Sequence, residues 1–349
     1  MGTEFYAERD KLNIERLEDV ISGLPAFIEE FFLGIKPQTT PLTRLNYAYD
    51  LRVFFNFLFC RIREFKNIDF TKLTVEDLNE ITVTHLEKYT DYLTDYEYNG
   101  KRYQCGARAK ARKLSSVRAM FKYFFNKDKI TANTAAKIPA PKLRDTEIIK
   151  LEADEVVKLL DLAESASSMT KSQQAFHNRT KLRDVAILTL LLGTGVRVSE
   201  CVGLDLDDVD FNTNAFRVTR KGGSRVILYF SDEVASALSV YVASRENDKI
   251  VPQKEKALFL SLQNKRMSVR ALQVLVKKYS EIITPLKKIT PHKLRSTYGT
   301  SLYRETQDIY VVAEVLGHKD VNTTKKHYAA ISDDIRRAAA RKVILRDKK

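Results

Sequence analysis

The helical periodicity of this chain has one long interruption. The stretch "NKDKITANTAAKIPAPKLRDTE", which takes in most of residues 128–150, replaces apolar spacings of three and four with two prolines, small residues and charges. Proline lacks the backbone donor that a helix needs and pushes its predecessor to extended backbone, so the segment reads as an interdomain linker. The 349 residues, 44% of them hydrophobic, are also more than one core usually encloses. Two domains are therefore expected, residues 1–127 and 151–349, with 128–150 between them.

Residues 1–127 are helical in pattern, with no strand expected. In "LTRLNYAYDLRVFFNFLFCRI" apolar residues recur three and four apart, and Asp77 and Glu80 in "LTVEDLNEIT" mark a helix start. Residues 99–127 carry nine Lys and Arg and no Asp or Glu. There Leu114, Val117, Phe121, Phe124 and Phe125 make an apolar stripe, while Arg108, Lys110, Arg112, Lys113, Arg118 and Lys122 fall largely off it. One face should pack and the other should meet phosphates. The whole chain has a net charge of +14, an excess that suits a polyanionic partner, with nucleic acid foremost.

Past the linker, "LEADEVVKLLDLAE" and "LRDVAILTLLLGTG" read as helices, the second apolar on nearly every side and so buried. Two β-branched and aromatic runs, 215–220 and 225–230, flank Lys221-Gly222-Gly223-Ser224 and make a hairpin. The remainder returns to helical patterns. Cys60, Cys105 and Cys201 are odd in number and far apart, which argues against a disulfide framework and suits buried thiols. No run of apolar residues is long enough to span a bilayer, and no secretory leader is visible, so a cytoplasmic protein without a membrane anchor is expected.

The polar residues of this second half suit one reaction. Arg197 follows a buried helix in "GTGVRVSE", His292 and Arg295 lie one helical turn apart in "TPHKLRSTYGT", and "LGHKDVNTTKKHY" supplies His318 and Tyr328. A tyrosine phenol can attack a phosphodiester when arginines neutralise the non-bridging oxygens, a base assists the phenol and an acid protonates the departing oxygen. Such chemistry requires no metal and no cofactor.

The motifs "GTGVRVSE", "TRKGGSR", "TPHKLRSTYGTSLY" and "LGHKDVNTTKKHY" stand in this order behind "TRLNYAYDLRVFFNFL" and "ARKLSSVRAMFKYF". On these the chain resembles the tyrosine recombinase (phage integrase) family over nearly its whole length, and is most similar to the Xer group. The resemblance implies a mainly α fold with a small sheet in the catalytic domain. It also implies a two-domain DNA clamp: a helical SAM-like core-binding domain, then a catalytic domain with a C-terminal tail helix. It implies a site-specific recombinase that cuts and rejoins duplex DNA through a 3′-phosphotyrosine, in chromosome dimer resolution or in integration and excision of a mobile element. The runners-up are a type IB topoisomerase-like enzyme and a DNA-binding protein without chemistry.

Carried over position by position, the resemblance makes Arg197 and Arg295 the grip on the scissile phosphate, with Glu200 orienting Arg197. Lys221 protonates the leaving 5′ oxygen, with Arg225 as its competing neighbour; His292 is an acid or base, His318 bonds a phosphate oxygen and Tyr328 is the nucleophile. His318 and Tyr328 are ten residues apart, one more than is usual in the family, and one residue turns a helix by about 100°. A bulge or longer loop must absorb it. The resemblance further implies paired half-sites on DNA and a homo-tetramer joined by tail exchange, with an accessory protein as a further partner. In the tail, Ile335, Ala338, Ala339 and Val343 or Ile344 make a narrow apolar stripe.

Overall fold

The computed structural model describes the chain apart from residues 1, 67, 143–148, 167–169, 221–222, 247–251, 253, 318–320 and 322–349. The chain divides into two compact units, Tyr6–Thr146, and Glu147–Lys349 together with Met1–Phe5.

The first unit is built on α1 (Gly2–Ile21), α2 (Ile28–Gly34), α3 (Pro41–Arg61), α4 (Val83–Tyr92) and α5 (Ala107–Phe125). Thr40 caps α3 by accepting the Thr43 N–H at 3.3 Å, with Pro41 in the first turn, where its missing donor costs nothing. The core is aromatic: Phe31, Phe54, Phe57, Tyr89, Phe121 and Phe124 are all fully enclosed. Four of the five residues expected on the buried stripe of α5 are in this core, but Phe125 is exposed, one step past the last residue that the stripe can turn inward.

Several expectations are corrected here. The helix start expected at Asp77 and Glu80 is a short 3-10 helix, Glu76–Glu80, in which Asp77 accepts the Thr74 N–H at 2.7 Å; the α-helix begins later, after its cap Thr82. Two short strands, β1 (Tyr96–Tyr98) and β2 (Lys101–Tyr103), pair antiparallel where none was expected. Asn99 and Gly100, with φ of 50° and 70°, make the turn between them. Beyond α5, Ile130, Ala135 and Ile138 are buried in the same core, so the first part of segment 128–150 packs instead of bridging. Of the cysteines only Cys201 is buried; Cys60 is exposed near the end of α3.

The second unit contains α6 (Ala153–Ser165), α7 (Lys171–Thr194), α8 (Val198–Val202), α9 (Asp232–Glu246), α10 (Val269–Ile283), α11 (Pro291–Thr306) and α12 (Ile309–Leu316). Strands β3 (Val209–Asp210), β4 (Ala215–Thr219) and β5 (Arg225–Tyr229) form a three-stranded antiparallel sheet in that order. Its register pairs Phe216 with Leu228 and Val218 with Val226, and Phe216, Val218 and Leu228 are buried. The core gathers around the apolar half of α7, where Ala186, Ile187, Leu188, Leu190 and Leu191 are buried together with Leu238, Leu272, Val276 and Leu294. Val312 and Leu316 of α12 pack against Tyr298 and Leu302 of α11. No helix among the described residues is long and apolar enough to cross a membrane.

Candidate active site

The C-terminal end of α12 organises the site. A helix leaves its last carbonyls without intrahelical partners, and these carry the negative end of the helix dipole. In α12 the carbonyls of Val315, Leu316 and the following Gly317 each accept from a different arginine: Arg220 Nη2 to Val315 O at 2.8 Å, Arg295 Nη2 to Leu316 O, and Arg197 Nη2 to Gly317 O at 2.9 Å. Three guanidinium groups from three elements thus converge on consecutive peptide oxygens.

Arg197 stands at the N-cap of α8, where its own backbone N–H donates to Glu200 Oε2 at 3.0 Å while its Nη1 donates to Glu200 Oε1 at 2.8 Å. The Glu200 side chain is 3% exposed and the Arg197 side chain 33%. One buried carboxylate therefore ties the start of a helix to the orientation of a half-exposed cation. Arg295, by contrast, is buried, and Nη1 donates to Gly195 O at 2.6 Å while Nη2 reaches Leu316 O. The partners described for it are neutral carbonyls from the ends of α7 and α12. Gly195 has φ +60°, and a Cβ there would lie 2.5 Å from Tyr298 Cδ1, so this close approach needs glycine. His292 is exposed one turn before Arg295 on α11.

Arg220 was not singled out in the sequence. It ends the β4 side of the hairpin, its backbone N–H donating to Ser224 O at 2.8 Å and its carbonyl accepting from Gly223 N–H at 3.0 Å. No sequence pattern marks it; what sets it apart is Gly317, which has φ +61° and where a Cβ would fall 1.0 Å from Arg220 Nη1. Burial holds the Arg220 guanidinium below the usual arginine range; the nearby Glu200 pulls it back up and Arg197 pushes it further down. Lys221, His318 and Tyr328 lie outside the described residues, as do the ten-residue interval and the tail stripe of Ile335, Ala338, Ala339 and Val343 or Ile344. Of the other tyrosines in this part, Tyr298 is part-buried against α12 and Tyr310 is 70% exposed.

The basic residues of α5 do not share one environment. Arg108 and Lys122 are exposed, and Lys110 Nζ donates to Thr94 Oγ1 at 2.6 Å. Arg112 is half-exposed, yet its Nη1 reaches Asp50 Oδ2 at 2.5 Å. Arg118 turns to the carbonyls of Ala135 (3.3 Å, from Nε) and Ile138. Lys113 is a correction to the phosphate-facing expectation: it is buried, and its Nζ lies 3.1 Å from Oδ1 of the fully buried Asp50. Burial raises the Asp50 carboxyl above the usual range against the opposing pull of Lys113 and Arg112. Periodicity placed Lys113 off the stripe, but a buried carboxylate on α3 draws it inward.

Residues 150–334 match the phage integrase family. The tyrosine recombinase XerC of Caldanaerobacter subterraneus subsp. tengcongensis is 33% identical over 330 residues, which cover 91% of this chain and 86% of the relative. The tyrosine recombinase XerS of Streptococcus thermophilus is 27% identical over 353 residues, covering 94% of this chain and 98% of the relative. Among solved structures, the XerH site-specific recombinase bound to a palindromic difH substrate matches with a TM-score of 0.64 at 18% identity, over 87% of this chain and 80% of that one. A lambda integrase dimer bound to a COC′ core site matches with a TM-score of 0.60 at 16% identity, over 86% and 93%.

Proposed function

Because the chain belongs to the phage integrase family and is a Xer-like tyrosine recombinase, an enzyme of site-specific DNA recombination, we propose that Tyr328 is its nucleophile and Arg197 and Arg295 its grip on the scissile phosphate. The Tyr328 phenol oxygen bonds to phosphorus as the bond to the 5′ oxygen breaks, leaving a 3′-phosphotyrosine. The phenol proton passes to His292 and the leaving 5′ oxygen takes its proton from Lys221. His318 steadies a non-bridging oxygen. A free phenol has a pKa of about 10, so a positively charged pocket is needed to favour the phenolate.

The observation that carries this reading is the pairing of Arg197 with Arg295 on adjacent carbonyls at the end of α12, immediately ahead of the "HKDVNTTKKHY" segment in the chain. Peptide oxygens carry no net charge and fix the guanidinium planes, so both arginines are held in orientation for an arriving phosphate. The exposed Arg108 and Lys122 serve duplex backbone contact. Exchange between two duplexes needs four cuts, one per protomer, so a ring of four closed by tail donation is the proposed assembly. The setting is the cytoplasm, on paired half-sites, in chromosome dimer resolution or mobile-element movement; an accessory protein is a further proposed partner.

The test begins by selecting a bound duplex from a random-sequence pool. A version nicked to trap the cleaved product should then give a covalent protein–DNA adduct with chelator present and without ATP, and a free 5′ hydroxyl. Tyr328→Phe should give none. Parent-like adduct from Tyr328→Phe would move the nucleophile to another tyrosine.

A further inference from the structure

Arg220 is the remaining member of the arginine cluster, and its geometry differs from that of the other two. Its Nη2 is bonded to Val315 O, its Nη1 occupies the space that a side chain at Gly317 would need, and its Nε is buried with no partner among the described residues. A buried donor left unsatisfied in a folded protein calls for an explanation. Its Nη2 and Nη1 both meet the end of α12, so the group is placed to fasten two chain segments together. One is the hairpin, since Arg220 closes β4 and directly precedes Lys221. The other is the α12 terminus, which directly precedes His318.

We infer that Arg220 is a positioning residue: by clamping the hairpin base to the Val315 and Gly317 end of α12, it sets Lys221 at the leaving 5′ oxygen. The inference rests on the assignment of Lys221 as the leaving-group acid. It gives Gly317 a reason beyond its backbone angle, because any larger residue would expel the clamp. Arginine suits the task because its planar group can donate at one edge and lie flat against a glycine, which a lysine ammonium cannot do.

The experiment compares single-turnover cleavage of two forms of the selected duplex, one with the ordinary phosphodiester and one with sulfur replacing the bridging 5′ oxygen at the scissile position. A thiol has a pKa of about 8.5 and leaves as the thiolate without an acid. Arg220→Ala should slow the ordinary duplex by about 10²-fold, the lower end of what an acid contributes, and should return to near the parent rate on the sulfur-bridged duplex. Arg220→Lys should behave in the same way to a lesser degree. A folding defect slows both duplexes, so the recovery itself separates positioning from general damage. Lys221→Ala is run in parallel. If Lys221→Ala recovers with sulfur but Arg220→Ala and Arg220→Lys stay slow on both duplexes, or cut the ordinary one at the parent rate, the clamp is overturned and the acid assignment stands. If Lys221→Ala does not recover, the acid assignment fails and the inference falls with it.

Discussion

Two buried cations, Lys113 in the first unit and Arg295 in the second, are matched differently. On α5, Lys113 and Arg112 meet Asp50, a carboxylate with no exposure to solvent. At the end of α12, Arg295 is equally enclosed, but its described partners are the carbonyls of Gly195 and Leu316. A carboxylate cancels the charge it holds, so the α5 cluster has little attraction left for an external anion. Peptide dipoles orient a guanidinium and leave its charge in place. Carbonyl partners alone do not mark a phosphate site, since Arg44 and Arg245 are also buried against carbonyls; Arg295 differs in sharing the α12 terminus with Arg197 and Arg220. Arg197 lies between the two types, with one bond to Glu200 and one to Gly317 O.

The contrast can be broken most decisively at Arg295. Arg295→Ala should lose cleavage by on the order of 10³–10⁵, the value of an arginine at a phosphoryl-transfer centre. Gel-shift affinity for the selected duplex should stay close to the parent, because many other cations contribute. Adduct formation at saturating protein is the readout, and a parent-like rate in Arg295→Ala would show that burial among carbonyls is a structural arrangement after all.

Asp50 should give the converse. Asp50→Ala strands Lys113 without its buried counter-charge, and removing one member of such a pair costs about 3–5 kcal/mol. Hydrogen-exchange protection of α3 and α5 should collapse accordingly. Replacing both members with apolar residues, Asp50→Leu with Lys113→Met, should restore most of it, since Arg112 is half-exposed and can turn to water. Lys113→Ala at saturating protein should cleave DNA as the parent does. A cleavage defect there without loss of protection would erase the distinction between the clusters.

These clusters also mark how far the sequence could be read. The amphipathic stripe of α5 was legible because four aromatic or aliphatic residues at helical spacing face one core. The fate of Lys113 was not, because its partner Asp50 is sixty-three positions away and no local pattern links them. The hairpin at Asn99-Gly100 carried a recognisable turn pair, but its strands are three residues each and lie among charges. Arg197, Glu200, His292 and Arg295 stood out by motif, whereas Arg220 looked like one more cation in a basic hairpin. Only the approach of Gly317 in three dimensions separates it from Arg225.

A third buried cluster tests whether partner chemistry or location decides the role, because it lies in the catalytic unit yet is matched by a carboxylate. Asp184 accepts from Arg183 Nη2 at 2.8 Å, Thr180 Oγ1 at 2.9 Å and Tyr279 Oη at 2.9 Å, with Lys278 at 3.8 Å. Since the Tyr279 hydroxyl donates to Asp184, it accepts from His177 Nδ1–H at 3.0 Å. His177 Nε2 is then the unprotonated nitrogen, buried without a partner among the described residues. Burial first, then Lys278 and Lys181, hold the imidazole below its ordinary range, and Asp184 opposes them. A histidine whose folded pKa is depressed contributes full stability above the unfolded value of about 6.5. It loses stability as pH falls from there through the folded value, at no more than about 1.4 kcal/mol per pH unit. His177→Asn keeps a donor for Tyr279 and cannot titrate, so the acid-side slope in protection of α7 and α10 should flatten in this variant. Cleavage at pH 7.5 should be unchanged. An undiminished slope would place the acid sensitivity elsewhere, and a cleavage defect at neutral pH would show that location counts for more than the charge of the partner.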